Sequence, residues 1–307
     1  MNIRNYIIVL LMLFISAKSN VLVHSYFFTI SAFSFSLLIF LYKGLKVDRQ
    51  FLYFSIIYFF VSFTYYFIFS YVDLLYVFYY FILLLYGYIN IKIVKYDFFK
   101  IYHDIVYYLS LISIPFFILQ LIDLELTFKF VGLIQNNISF LSNNDNFFAN
   151  NFLFTIDKLG GTLRNSGFAW EPKGFSNFLI LAIVFNTVLY NFTINRKIIV
   201  FVIALFTTFS TVGYFILCTC FVMYLFINKS LNRIYSIIFL IFAVFVLFIG
   251  NDFIIEKIRY EMFDVDTQIN KVYDKRKFDK RSLGRFGSLI IDYNDFIKHP
   301  ITGYGIQ

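Results

Sequence analysis

Charge, cysteine and proline are all scarce in this chain of 307 residues. Charged residues make up only 14% of it, against about 25% in a soluble domain. A water-soluble body of this size would need far more polar surface to cover it. The two cysteines, Cys218 and Cys220, are two apart in one apolar run. They fall on different sides of a helix, which argues against a disulfide or a thiolate metal site. Of the three prolines, only Pro115 lies inside an apolar run, so the long runs are free to be helical. The three histidines are scattered. His24 and His103 read as single interfacial residues near helix ends, and His299 stands alone near the C-terminus. The sequence has no H-E-x-x-H, no phosphate-binding G-x-x-x-x-G-K-[ST] and no nucleophile elbow G-x-S-x-G. The net charge of +8 is spread over short loops, which excludes a nucleic-acid-binding face.

What fills the chain instead is apolar. Hydrophobic residues reach 60%, aromatic residues 23%, and the mean hydropathy is +0.76. The charges gather between the apolar runs. This pattern predicts an all-α integral membrane protein with about nine spans. They run over 3–17, 21–42, 51–70, 73–91, 104–122, 173–191, 197–210, 212–227 and 234–250. Residues 197–227 read either as two short helices meeting at Ser210–Gly213 or as one broken helix. The N-terminal run resembles a signal peptide, but further spans follow at once, which predicts an uncleaved first helix.

The connections alternate in charge. Lys43, Lys46 and Arg49 follow the second span. Lys92, Lys95 and Lys100 follow the fourth, Arg196 and Lys197 the sixth, and Lys229 and Arg233 the eighth. The connections after spans three and seven carry no Lys or Arg. The positive-inside rule then puts the N-terminus and the basic loops in the cytoplasm. Four regions follow: N-terminal membrane helices over 1–122, an extracytoplasmic loop over 123–172, membrane helices over 173–250, and an extracytoplasmic segment over 251–307. Within the loop, the Asn-rich stretch 135–151 reads as irregular.

Three stretches stand out from the apolar background. TLRNSGFAWEPKGF (162–175) precedes a span. Pro172 suits a first helical turn, Glu171 a helix N-terminus, and Trp170 the interfacial aromatic belt. Those roles account for three residues without any chemistry, but not for Arg164. FTTFSTVGYF (206–215) is either a hairpin turn between helices or a small-residue passage or packing surface for a lipid-linked substrate. RSLGRFGSLIIDYNDFIKHPITGYG (281–305) places Phe286, Leu289, Ile290, Tyr293, Phe296 and Ile297 on one helical face. Arg281 and Arg285, four apart, can face one partner, and two guanidinium forks suit a diphosphate. They also read as part of a solvated charged face. Asp264-Val265-Asp266 matches a D-x-D metal motif, but it falls on the predicted outer side, where nucleotide sugars are absent.

Taken in order, these stretches resemble a family. Arg164-Asn165-Ser166-Gly167-Phe168, then Glu171-Pro172, stand before a membrane helix. Thr208, then Ser210-Thr211-Val212-Gly213-Tyr214, stand between later helices. Arg285-Phe286-Gly287 and His299-Pro300-Ile301-Thr302-Gly303-Tyr304-Gly305 end a long outer segment. The pattern is similar to the O-antigen polymerase and ligase superfamily, most closely the oligosaccharide repeat-unit polymerases (Wzy-like), over residues 150–307. Two departures are visible. Thr211 stands where the family often has Arg, and the chain stops at Gln307, where the family continues into further helices. The second implies a C-terminally truncated product or fragment.

The resemblance implies a GT-C-like fold and an inverting lipid-diphosphate-dependent glycosyltransferase. It would polymerise undecaprenyl-diphosphate-linked oligosaccharides into O-antigen, capsule or exopolysaccharide, with no cofactor and no metal. Arg164, Arg281 and Arg285 are the expected substrate-binding residues, since negative charge grows on the leaving diphosphate. Glu171 is the expected base for the acceptor hydroxyl, with His299 the second choice. The implied location is the bacterial cytoplasmic membrane, with a chain-length regulator and a flippase as the implied partners. Two other activities fit less well. An O-antigen ligase would use the same lipid donor, and gene neighbourhood separates the two. A polysaccharide flippase would carry paired broken helices or mid-membrane charges, and few are evident here.

Overall fold

The computed structural model describes residues 3–17, 26–69, 74–137, 148–158, 163–190, 193 and 195–227, with six residues between 289 and 297. It is mostly helical. The elements are α1 (Ile3–Ser16), α2 (Tyr26–Tyr42), α3 (Arg49–Phe69), α4 (Leu74–Val94), α5 (Asp97–Ile122), α6 (Leu124–Asn137), β1 (Phe148–Asn150), β2 (Thr155–Asp157), α7 (Pro172–Leu189), α8 (Arg196–Thr207) and α9 (Thr211–Ile227). Four helices are long and apolar enough to cross a membrane: Arg49–Phe67, Leu74–Val94, Asp97–Ile122 and Pro172–Leu189. Shorter apolar helices occupy the expected spans at 3–17, 21–42 and 212–227, and α8 that at 197–210. The last expected span, 234–250, lies outside the described residues. So do His24, the D-x-D stretch, Arg281, Arg285 and His299.

The chain divides into two compact units, Met1–Leu45 with Ile82–Arg233, and Lys46–Phe81 with Ile234–Gln307. In the second unit, α3 and the first turns of α4 form an aromatic hairpin. The Tyr58 hydroxyl donates to the Val77 carbonyl at 3.0 Å, and the Phe59 ring lies 4.6 Å from that of Phe81. The described residues of the third motif, Leu289 to Ile297, are helical, and their side chains are exposed.

In the first unit, α5 is the central post. It packs against α1, α7 and α8, and its Val106 and Leu109 meet Ile8, Val9 and Leu13 of α1 and Phe175, Leu179 and Ala182 of α7 in one core. Lipid is as apolar as these side chains, so close packing and hydrogen bonds hold such a bundle rather than transfer from water. Pro115 has no N–H to offer the Leu111 carbonyl. Ser110 and Ser113 hydroxyls donate to nearby carbonyls, of Val106 at 2.6 Å and of Ser110 at 2.9 Å, in the turns before it.

Helix α5 hands over to α6 through one residue. Asp123 is extended, and its N–H donates to the Leu119 carbonyl, closing α5. Its carboxylate accepts from the Leu126 N–H at 2.9 Å, opening α6. Such a cap is worth about 1 kcal/mol. The expected irregular loop is therefore ordered at both ends. The Asn-rich stretch begins in α6 and ends in an antiparallel hairpin that pairs Phe148 with Asp157 and Asn150 with Thr155. Its asparagines build the turn. Asn150 Oδ1 accepts from Phe152 N at 2.8 Å, and Asn151 Oδ1 from Phe154 N at 2.9 Å, with Phe152 left-handed at φ 71°. Short amide side chains bonding their own backbone favour such turns. A second small core of Phe117, Val131, Ala149, Phe154 and Ile156 joins the hairpin to α5 and α6.

The open reading of 197–227 resolves into two helices. Helix α8 ends at Thr207, Phe209 turns left-handed at φ 47°, and α9 starts at Thr211.

Candidate functional site

Two of the three motifs meet. Residues 163–171 cross the first unit where α1 and α8 terminate, beside Ser113 in the second half of α5. Asn165 is fully buried and holds the loop in place. Its N–H donates to the Thr207 carbonyl at 2.9 Å. Its amide nitrogen donates to the hydroxyls of Thr207 at 2.8 Å and Ser113 at 3.2 Å, while its Oδ1 accepts from Gly167 N at 2.8 Å. One side chain thus joins the first motif to the second and to α5.

The remainder of the loop is fixed as firmly. Gly167 sits at φ 49°, and a Cβ there would come within 2.8 Å of the Phe175 ring, so only glycine fits. Its carbonyl accepts from Thr155 N at 2.8 Å, tying the loop to the hairpin. The Phe168 ring is enclosed by Phe14, Phe175 and Phe178. Trp170 donates its N–H to the Ala17 carbonyl at 3.1 Å and stacks on Phe148 at 4.8 Å. The tryptophan expected in a lipid belt is therefore used, in part, to clamp the loop.

Helix α7 begins as the residue types predict. Glu171 is the extended N-cap and Pro172 opens the first turn. Glu171 makes no side-chain cap bond, and its side chain is exposed. Arg164 is half-buried beside Asn165. Arg164 and Glu171 hence stand at the two ends of a clamped loop, each on a backbone that is held in place.

One turn into α7, the Ser176 hydroxyl oxygen lies 3.1 Å from that of Ser210. The N–H of Gly213 donates to Ser210 Oγ at 3.3 Å. A Cβ at Gly213 would lie 3.0 Å from Leu205 and 3.2 Å from the Ser176 Cβ. The small residues of FTTFSTVGYF therefore let α7, α8 and α9 close on one another. The turn read from that stretch is realised, and its small residues are used for helix-to-helix packing. Tyr214 completes the seam by donating to the Phe206 carbonyl at 2.8 Å.

The opposite end of the first unit gathers cations. The Lys43 ammonium donates to the Ile93 carbonyl at 3.2 Å. Partial burial, and then the neighbouring Arg4 and Lys95 charges, hold it below the ordinary lysine range. A polar network lies at this end too, and sequence reasoning missed it. His103, read as a single interfacial residue near a helix end, does lie near the start of α5, and it is fully buried there. Its Nε2 lies 3.0 Å from Asn186 Oδ1, which also accepts from Asn195 Nδ2 at 2.7 Å. An oxygen there requires Nε2 to carry the proton. Next in sequence, Asp104 pairs with Lys197 and accepts from the Tyr6 hydroxyl at 3.1 Å. The signal was Asp104 itself, a carboxylate at the first position of an expected span, where membranes rarely tolerate an unpaired charge. This network ties α1, α5, α7 and α8 together.

Among the described residues no group of three His, Cys, Asp or Glu side chains is placed to hold a metal ion. Arg281, Arg285 and His299 lie outside the described residues, so of the five expected site residues the structure places Arg164 and Glu171. Scans against protein-family models, curated proteins and solved structures found no match to this chain.

Proposed function

We propose that this chain is a multi-pass glycosyltransferase of the bacterial cytoplasmic membrane that polymerises undecaprenyl-diphosphate-linked oligosaccharide units. What supports the reading is the seam in which Asn165 of the first motif meets Thr207 of the second. Residues 42 apart in sequence that resemble one family's motifs are built into one end of one bundle. The basic residues Arg4, Lys43, Lys95 and Lys197 collect at the other end, as the alternation of loops requires if that end is cytoplasmic. The full set of nine spans, the GT-C-like fold and the outward-facing site belong to this proposal.

The chemistry follows from the leaving group. The acceptor sugar hydroxyl gives its proton to Glu171, and its oxygen attacks the anomeric carbon from the face opposite the diphosphate. The bond from that carbon to the diphosphate oxygen breaks, and the lipid diphosphate departs with the electron pair. Arg164, with Arg281 and Arg285, meets the charge that develops there, where charge-assisted hydrogen bonds count most. Glu171 is suited to proton transfer because its carboxylate is not spent on capping its own helix. His299 is the second candidate base.

The test is complementation of a polymerase-null strain of the same serotype with the full-length gene. A restored ladder of long polymer is expected. Arg164→Ala and Arg285→Ala should each abolish long chains at unchanged protein level, and Glu171→Gln should do the same. A wild-type gene that yields only single-unit product would refute the polymerase reading. Normal chain length in a variant would remove that residue from the mechanism.

A further inference from the structure

Helix α6 carries two apolar faces. Leu124, Thr127, Phe128 and Val131 turn inward toward the hairpin and α5. Leu126, Phe130 and Leu133 recur at i, i+4 and i+7 on the opposite face, at 64%, 57% and 52% exposure. A helix packed on a protein and facing water would show polar residues there. Its polar residues lie to one flank instead. Glu125 pairs with Lys158 at 2.8 Å, and Lys129 follows one turn later on that side. The outer stripe also continues an apolar surface. Ile118, Leu119, Leu121 and Ile122 of the spanning helix α5 are exposed, and only Asp123 separates them from α6.

We propose that α6 lies in the membrane–water interface, with Leu126, Phe130 and Leu133 among the acyl chains and Glu125, Lys129 and Lys158 at headgroup level. The occupant of this face is the bilayer, because the face runs on from the lipid-exposed side of α5 and is edged by charge on one flank, as interfacial helices are. The hairpin then rests on a raft: β1 and β2 on the inner face of α6, lipid on the outer. This inference does not depend on the glycosyltransferase reading.

Trp170 is the single tryptophan in the chain, so Trp170→Phe gives a silent background for fluorescence. In that background the full-length protein would carry Leu126→Trp, Phe130→Trp, Leu133→Trp or Glu125→Trp, reconstituted in phosphatidylcholine–phosphatidylglycerol vesicles. Half the samples would hold acyl chains brominated near the carbonyl. The three stripe positions should lose at least half of their emission to bromine and resist aqueous acrylamide. Glu125→Trp should show the reverse. Phe130→Trp exchanges one ring for another and keeps the test open if a leucine variant fails to fold. Stripe positions quenched by acrylamide and not by bromine would overturn the proposal. So would stripe positions shielded from both that cross-link between copies, since the face would then belong to a second copy of the chain.

Discussion

Replacing Asn165 by alanine removes three side-chain bonds from the seam while leaving its backbone bond to Thr207 in place. Two of the lost bonds are the amide donations to Ser113 and Thr207. Those hydroxyls are not orphaned, because each still donates to a main-chain carbonyl, of Ser110 and of Ala204. Each lost donation therefore costs about 1 kcal/mol. The third loss strands the buried Gly167 N–H, at about 1–3 kcal/mol. The sum is about 3–5 kcal/mol, and at roughly 2 °C per kcal/mol the melting midpoint should fall by about 6–10 °C. Detergent-solubilised protein heated and read by size-exclusion fluorescence would measure it. Asn165→Asp is a sharper probe. It keeps the acceptor for Gly167 but turns a buried carboxylate oxygen toward two hydroxyls whose protons are already committed. It should destabilise at least as much as alanine. A midpoint shift under about 1 °C for Asn165→Ala, or an aspartate as stable as wild type, would refute the clamp.

Gly167→Ala should cost about 2–4 kcal/mol in the same assay, from left-handed backbone and from the Phe175 ring. Adding Phe175→Leu should return part of that loss but not the backbone part. Asp104→Ala should destabilise by about 3 kcal/mol, because it leaves Lys197 and Tyr6 without their carboxylate. The double variant Asp104→Leu with Lys197→Met should be milder than either single change, and a purely additive result would argue against a coupled pair. Pro172→Ala should change the midpoint by no more than about 1 kcal/mol equivalent, since a first-turn residue needs no N–H partner and keeps its φ readily.

Local chemistry made the helix starts and breaks legible. Pro172 after Glu171 marks the start of α7, and the Thr-Ser-Gly cluster marks the break after α8, because caps and turns are decided within a few residues. Asn165 was not legible as the hub of the seam. Its partners Ser113 and Thr207 are 52 and 42 residues away, and only packing brings them to it. Arg164 attracted attention as a charge near the membrane, while its neutral neighbour carries the fold. The partner of His103 was not legible, because one histidine in an apolar run gives no sign of which amide will meet it. Asn186, its partner, looks like any polar residue near the end of a span. Helix α6 was absorbed into a loop because its two apolar faces blur the single stripe that identifies a surface helix. The cap at Asp123 was the signal to read.

That one-residue elbow makes α6 a lever. Its 14 residues span about 21 Å. No flexible linker separates it from α5, so a change in the tilt of α5 is transmitted to it rather than absorbed. Rotation by about 10° about Asp123 sweeps the far end of α6, and the hairpin it supports, through about 4 Å. Spanning helices tilt when bilayer thickness changes. The hairpin bonds directly to the Gly167 carbonyl, so on the proposed placement of α5 and α6 a change in membrane thickness would be passed to the loop between Arg164 and Glu171.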